Sequence, residues 1–406
     1  MNKATLDRDT IYLKSNFLYG EDFEYIRSIL IIEEGIIKGF TRESIRNTIN
    51  YKGIVIPPLI NAHTHIGDNA IKDIGINKTL DDLVKPPNGL KHRFLNSCSE
   101  DNLIDGMVDG LHDLKSNGIL YFCDFRENGI TGINLLKRAF TKFKEYFTKE
   151  RLGYSNTLCD YIQFNKLFNI PPSPIILGRP TTSNIKELKK EIREILKVAD
   201  GIGLSGCNEY SDEELKIMRK EDYKIFSIHA NEHEGSIEYS KETHGKSEIE
   251  RIIDLKINPT FIIHATHTTP HEREILREYN IPVVVCPRAN ASFNIGLPDI
   301  QNLLRNDILV GLGTDNFMAN SPSIFKEMDF IYKIYHIDPK EILRFATINN
   351  GKILGLEGVG LIEEGYRGIF TFIRDTPSTR YSKNIVASII TRCERGDIYS
   401  FDMNMH

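Results

Sequence analysis

The stretch Leu59-Ile60-Asn61-Ala62-His63-Thr64-His65 puts two imidazoles two residues apart. On a strand, residues i and i+2 face the same way. The run Gly53-Ile54-Val55-Ile56 just before it is apolar and β-branched and reads as a buried strand. His63 and His65 therefore aim at one point, where a strand gives way to a loop. Imidazole is the commonest protein ligand for borderline metals, so the pair supplies half of a tetrahedral site. Taken alone, the spacing fits a surface histidine pair equally well. Three more apolar runs end in residues able to do chemistry: His229-Ala230-Asn231-Glu232, Ile263-His264-Ala265-Thr266-His267 and Gly311-Leu312-Gly313-Thr314-Asp315-Asn316. A capped loop histidine, a solvated helix start or a Gly-Thr-Asp turn would explain any one of them. All four at the same kind of position point to one site.

The elements that must position these residues alternate. Beyond the first strand, the apolar runs are 118–124, 173–178, 199–204, 224–229, 260–264, 281–286 and 307–313. Segments of helical period lie among them at 184–198, 211–221, 247–256, 270–279 and 323–333. Ser211 and Thr269 are placed to cap two of these helices, with acidic residues or proline in the first turn. Eight strands alternating with helices predict a (β/α)8 TIM barrel, whose active sites form at the C-terminal strand ends. A doubly wound sheet is the alternative, but no Gly-rich phosphate turn marks a switch point. Short apolar runs at 11–13, 28–32 and 35–40 read as antiparallel strands, with a hairpin at Glu33-Glu34-Gly35. Runs at 368–373 and 384–390 read the same way. The prediction is a small β-sandwich from 1–56 and 355–406 around a barrel at 57–354.

Bulk properties narrow the function classes. The chain has 406 residues, 40% hydrophobic and 26% charged, the make-up of a globular protein. A formal net charge of -5 gives no sign of nucleic-acid binding. No apolar run approaches a membrane span, and Met1–Asp9 lacks an apolar signal core. The six cysteines (98, 123, 159, 207, 286, 393) include no Cys-x-x-Cys pair and read as reduced buried thiols. A cytoplasmic protein is expected, acting on a small molecule, with homo-oligomer formation left open.

Together, His63-Thr64-His65, His229-Ala230-Asn231-Glu232, His264, Cys286-Pro287-Arg288-Ala289-Asn290 and Gly313-Thr314-Asp315 resemble the amidohydrolase superfamily. The match is to the branch containing cytosine deaminase, the methylthioadenosine/S-adenosylhomocysteine deaminases and the triazine hydrolases. It covers roughly residues 30 to 375. The chain departs from the family pattern at Pro57-Pro58, where Pro-Gly is usual, and at Ala289, where Ser is usual. Strand four, ending Gly203-Leu204-Ser205-Gly206-Cys207, lacks the lysine that bridges two metals in some members, which favours one metal.

On this reading three imidazoles (His63, His65, His229) and the Asp315 carboxylate hold one divalent ion. Zinc fits the set; iron or manganese would too. The ion would lower the pKa of a bound water toward neutrality. Asp315 would take the water proton. Glu232, protonated, would deliver a proton to a ring nitrogen and the leaving amine. His264 would donate a hydrogen bond to the attacking or developing oxygen. The expected reaction is deamination of an amino-substituted N-heterocycle, a nucleobase or nucleoside derivative. The alternatives are hydrolysis of a cyclic or linear amide, as in imidazolonepropionase-type chemistry, and a metal-binding scaffold without turnover. Arg126, Arg179 and Arg288, at the ends of strands two, three and seven, are expected to bind an anionic group on the substrate, with Asn290 beside them. The plainer reading pairs each arginine with a nearby acid such as Asp124 or Glu127.

Overall fold

The computed structural model describes residues 10–84, 89–152, 170–219 and 224–399. The N-terminal stretch 1–9 and Cys159 lie outside the described residues. The other five cysteines are free thiols. Among the described residues, no helix is long and apolar enough to cross a membrane.

Strands β1 (Thr10–Tyr19), β2 (Glu24–Glu33), β3 (Ile36–Thr41) and β4 (Ile49–Ile56) form a small sheet. The β2–β3 hairpin turns on Glu34 and Gly35, both at positive φ (49° and 76°), the geometry that suits the twist of a two-residue hairpin.

The run Gly53–Ile56 is not the first barrel strand. It lies in β4, parallel to β1. Pro57-Pro58 ends it, since proline has no N–H to offer a ladder. The barrel starts afresh at β5 (Leu59–His65). It continues through β6 (Ile119–Arg126), β7 (Ser173–Gly178), β8 (Gly201–Leu204), β9 (Ile225–Ala230), β10 (Phe261–His264) and β11 (Val283–Val285). The last strand is interrupted. Its first part, β12 (Val310–Leu312), pairs with β11, and its second, β13 (Asp315–Asn316), pairs with β5. The sheet order β12-β11-β10-β9-β8-β7-β6-β5-β13 therefore closes on itself as a ring of eight parallel strands.

Polar side chains lock the seam. Asn61 Nδ2 donates to Thr314 Oγ1 (2.7 Å), and Thr314 N donates to Asn61 Oδ1 (3.1 Å). Asn350 Nδ2 donates to the carbonyls of Ile60 (2.7 Å) and Leu312 (2.8 Å). The helices lie close to their expected bounds, and Thr269 makes a full capping box with Glu272.

After the barrel the chain returns to the small sheet with β14 (Thr371–Arg374), antiparallel to β4. Both termini thus build one five-stranded sheet, order β14-β4-β1-β2-β3, with no second stacked sheet among the described residues. The stretch expected as its further strand, 384–390, is instead the helix Ile385–Arg392. Asn384 caps it by accepting from Ala387 N at 3.0 Å. Its buried face (Val386, Ile389, Ile390) packs on the barrel helices Ile324–Tyr335 and Pro339–Arg344.

Candidate active site

The four histidine- and acid-bearing stretches converge at the C-terminal mouth of the barrel. His63 and His65 leave β5 on one side, and a neighbouring carboxylate fixes the turn behind them. Asp124, on β6, accepts from Thr64 Oγ1 (3.1 Å) and from Ile66 N (2.7 Å). His229, near the end of β9, donates from Nδ1 to the Leu204 carbonyl at 2.7 Å. Its Nε2 must then carry the lone pair, and it lies 3.1 Å from His63 Nε2. Asp315 starts β13 with φ +60°, a conformation rare outside glycine, which turns its carboxylate inward. Its Oδ1 is 3.3 Å from His63 Nε2 and 3.6 Å from His65 Nε2. His264 ends β10, also left-handed at φ +71°. One donor atom each from His63, His229, His264 and Asp315 lies within 4.8 Å of the others. His65 approaches the same point through Asp315, while its Nδ1 faces Glu127 Oε1 at 3.3 Å.

Electrostatics suits a cation here. Burial drives the His63 pKa down to about 3 and holds His229 well below the usual imidazole range. Both rings are neutral, with electron pairs to give. Burial opposes the charge on Asp315, but the hydrogen bond from His63 holds its pKa below the ordinary range. Lone pairs on Nε2 of His229 and Oδ1 of Asp315 thus crowd around Nε2 of His63, and the buried His63 Nδ1 has no hydrogen-bond partner. A nitrogen-and-oxygen set of this kind fits a divalent metal. Glu232 has the opposite bias: burial and the Asp315 charge raise its pKa to about 8. It is a carboxylic acid at neutral pH, with Oε1 3.5 Å from His264 Nε2. His264 Nδ1 is 3.1 Å from Asn290 Oδ1, so Asn290 orients that ring.

A cavity of about 490 Å³ opens over the cluster. His65, His229, Glu232, His264 and Asp315 form its floor, and Leu80, Val84 and Phe293 stand among its lining residues. Of the three arginines, only Arg179 lines it. Arg126 is buried beside the strand-one turn, bonded to Glu127 and, at 3.4 Å, to Asp124. Arg288 Nη1 pairs with the buried Glu327 at 3.3 Å. For these two, the expectation of a substrate contact gives way to the plainer reading: neither arginine lines the cavity, and each is held by an acid. Sequence reasoning missed Lys91, Asp68 and the role of Glu127. Lys91 Nζ, from the helix Leu90–Ser97, sits 2.8 Å from both Asp68 Oδ2 and Glu127 Oε1. A lysine on a polar helix gives no signal of this. His233 also lines the cavity and caps the helix Glu234–His244.

A closed eight-stranded parallel barrel with imidazoles and a carboxylate gathered at its C-terminal mouth defines a metal-dependent hydrolase. Residues 54–392 match the amidohydrolase family model, and the chain belongs to that family, whose enzymes cleave carbon–nitrogen bonds. It is similar to an uncharacterized protein of Methanocaldococcus jannaschii, 57% identical over 97% of this chain and 98% of the relative. A 5-methylthioadenosine/S-adenosylhomocysteine deaminase of Thermoanaerobacter pseudethanolicus is 24% identical over 87% of this chain and 81% of its own length. Among solved structures, atrazine chlorohydrolase of Arthrobacter aurescens TC1 complexed with zinc superposes with a TM-score of 0.76, covering 96% of this chain and 95% of that one at 15% identity.

Proposed function

We propose that this protein deaminates an amino-substituted N-heterocycle hydrolytically, with one divalent ion, zinc by its donor set, held by His63, His65, His229 and Asp315. The observation that carries the reading is Glu232: a protonated carboxyl beside the His/Asp cluster, at the floor of a cavity sized for a small molecule. When bound, the ion supplies an activated water as nucleophile. The rest falls to the chain. Asp315, ionised, accepts the water's proton. Glu232 gives its proton to the ring nitrogen next to the attacked carbon. The ionised Glu232 then takes the proton left on the added oxygen and passes it to the leaving amine, so ammonia departs neutral. The proton held by Asp315 returns to Glu232 to close the cycle. His264, oriented by Asn290, faces the same space and supports the oxygen on which charge develops. The Arg179 side chain, half-buried in the cavity wall with no hydrogen-bond or ion-pair partner among the described residues, would grip an anionic group on the substrate. The deaminase among the relatives supports the choice of reaction.

The test is ammonia release from a panel of amino-heterocycles by the zinc-loaded protein and by Glu232→Gln. The variant should keep its metal and lose about 10²–10⁴-fold in turnover. Near wild-type rates in the variant, or turnover without ammonia, would overturn the deaminase reading.

A further inference from the structure

His65 reaches the cluster differently from His229. The His229 ring is held by a backbone carbonyl, which no substitution removes. The His65 ring is faced by a side chain: Glu127 Oε1 lies 3.3 Å from its Nδ1, close but off the hydrogen-bond line. That buried nitrogen has no other partner, and a small turn of the ring would close the bond. A neutral imidazole that donates from Nδ1 presents its lone pair at Nε2, and here Nε2 is the atom that faces Asp315, at 3.6 Å. Glu127 is itself held on both oxygens. Oε1 takes Lys91 Nζ at 2.8 Å, and Oε2 takes the Arg126 guanidinium. Lys91 bridges onward to Asp68 on the strand-one turn at 2.8 Å. Asp68, Lys91, Arg126 and Glu127 are each less than a tenth exposed. Glycine at residue 67 leaves the Arg126 guanidinium its place; a side-chain carbon there would press on it and force it to shift. Burying so many charges costs several kcal/mol per ion before pairing, and apolar residues would fill the space at less expense. The expense makes sense if the cluster aims something.

We infer that Glu127, braced by Lys91 and Arg126, is the positioning residue for His65, setting the tautomer and ring angle at which Nε2 meets the metal. The inference rests on His65 being a ligand. Lys91 comes from the helix Leu90–Ser97 beside the cavity, so the same contact ties that helix to the metal-binding ring.

Zinc affinity, measured by competition with a chromophoric chelator, tests it in wild type, Glu127→Ala, Glu127→Gln and His65→Ala, with circular dichroism reporting the fold. Glu127→Ala should weaken zinc binding about 10–100-fold, the usual cost of losing such a partner. Glu127→Gln keeps an acceptor for Nδ1–H and should recover most of that loss. A merely structural role would lower the melting temperature and leave zinc affinity unchanged; that result in Glu127→Ala, with His65→Ala weakened, overturns the inference. If His65→Ala itself binds zinc like wild type, the ligand assignment fails instead. Should Glu127→Ala not fold, Glu127→Gln decides by NMR of the zinc-loaded protein. A downfield His65 Nδ1–H resonance that moves upfield in the variant supports the inference, and an unmoved resonance overturns it.

Discussion

Arg126 and Arg179 are neighbours in the barrel wall. The backbone N–H of Arg179 donates to the Arg126 carbonyl at 3.0 Å. Their side chains live in opposite surroundings. Arg126 is 5% exposed and engaged by Asp124 and Glu127. Arg179 lines the cavity and meets no acid among the described residues. The two sides of the mouth follow suit. Around the ends of strands one and two, charges are matched in pairs: Lys91 with Asp68 and Glu127, Arg126 with Asp124 and Glu127. At the end of strand three, a cation is left over. Paired buried charge holds other groups still, whereas an unpaired cation facing a cavity is available to a ligand. The same residue type at adjacent strand ends therefore does different work, and position along the strand does not distinguish them.

The largest effect that sharpens this contrast is on stability. Arg126→Met leaves the Glu127 and Asp124 carboxylates short of a buried partner, which typically costs about 3–5 kcal/mol. Denaturant unfolding of the metal-loaded protein should show it. A loss under about 1 kcal/mol, typical of exposed pairs, would mean that the paired side is looser than its contacts imply. Arg179→Met should leave stability within about 0.5 kcal/mol of wild type. Its effect should fall on kcat/KM for an anionic substrate, lowered by about 1.5–3 kcal/mol, roughly ten- to more than a hundredfold. A neutral analogue should react as before. Equal losses on both compounds would break the contrast. The smallest effect is a control on the rim. Thr269→Ala removes a helix cap and should cost about 1 kcal/mol of stability, with kcat/KM untouched. If that change moved kcat/KM as far as Arg179→Met does, any disturbance of the rim would be reaching the floor.

The barrel and its floor were legible because their residues sit at one repeated place, the last residues of apolar runs. His63, His229, His264 and Asp315 all fall there, and the structure gathers them. Two element errors share a cause: a short β-branched run looks alike in any sheet or helix. Gly53–Ile56, which reads as leading into the first barrel strand although the domain bound falls after residue 56, is buried in the small sheet; Pro57-Pro58 was the available sign of the break. Ile385–Arg392 carries strand-favouring residues, yet its buried positions 386, 389 and 390 share one helical face, and Asn384 was a readable cap. The braces could not be read. Lys91 and Glu127 are 36 residues apart and meet only because the barrel rolls up. Arg126 and Arg288 were misjudged for the same reason: what pairs a charge is decided in space.

The interrupted last strand has a consequence for how the molecule comes into being. Asn61 and Thr314, which lock the seam, are 253 residues apart, close to the widest separation the barrel allows. His63 stands beside one and Asp315 beside the other. During synthesis the first imidazole pair leaves the ribosome long before its carboxylate partner exists, and contacts so distant in sequence are among the slowest to form. A nascent or truncated chain lacking the eighth strand holds the imidazoles without the acid. If the ion is held as proposed, tight metal uptake would belong to the finished ring, and a loaded ion would report that the two ends of the barrel have met.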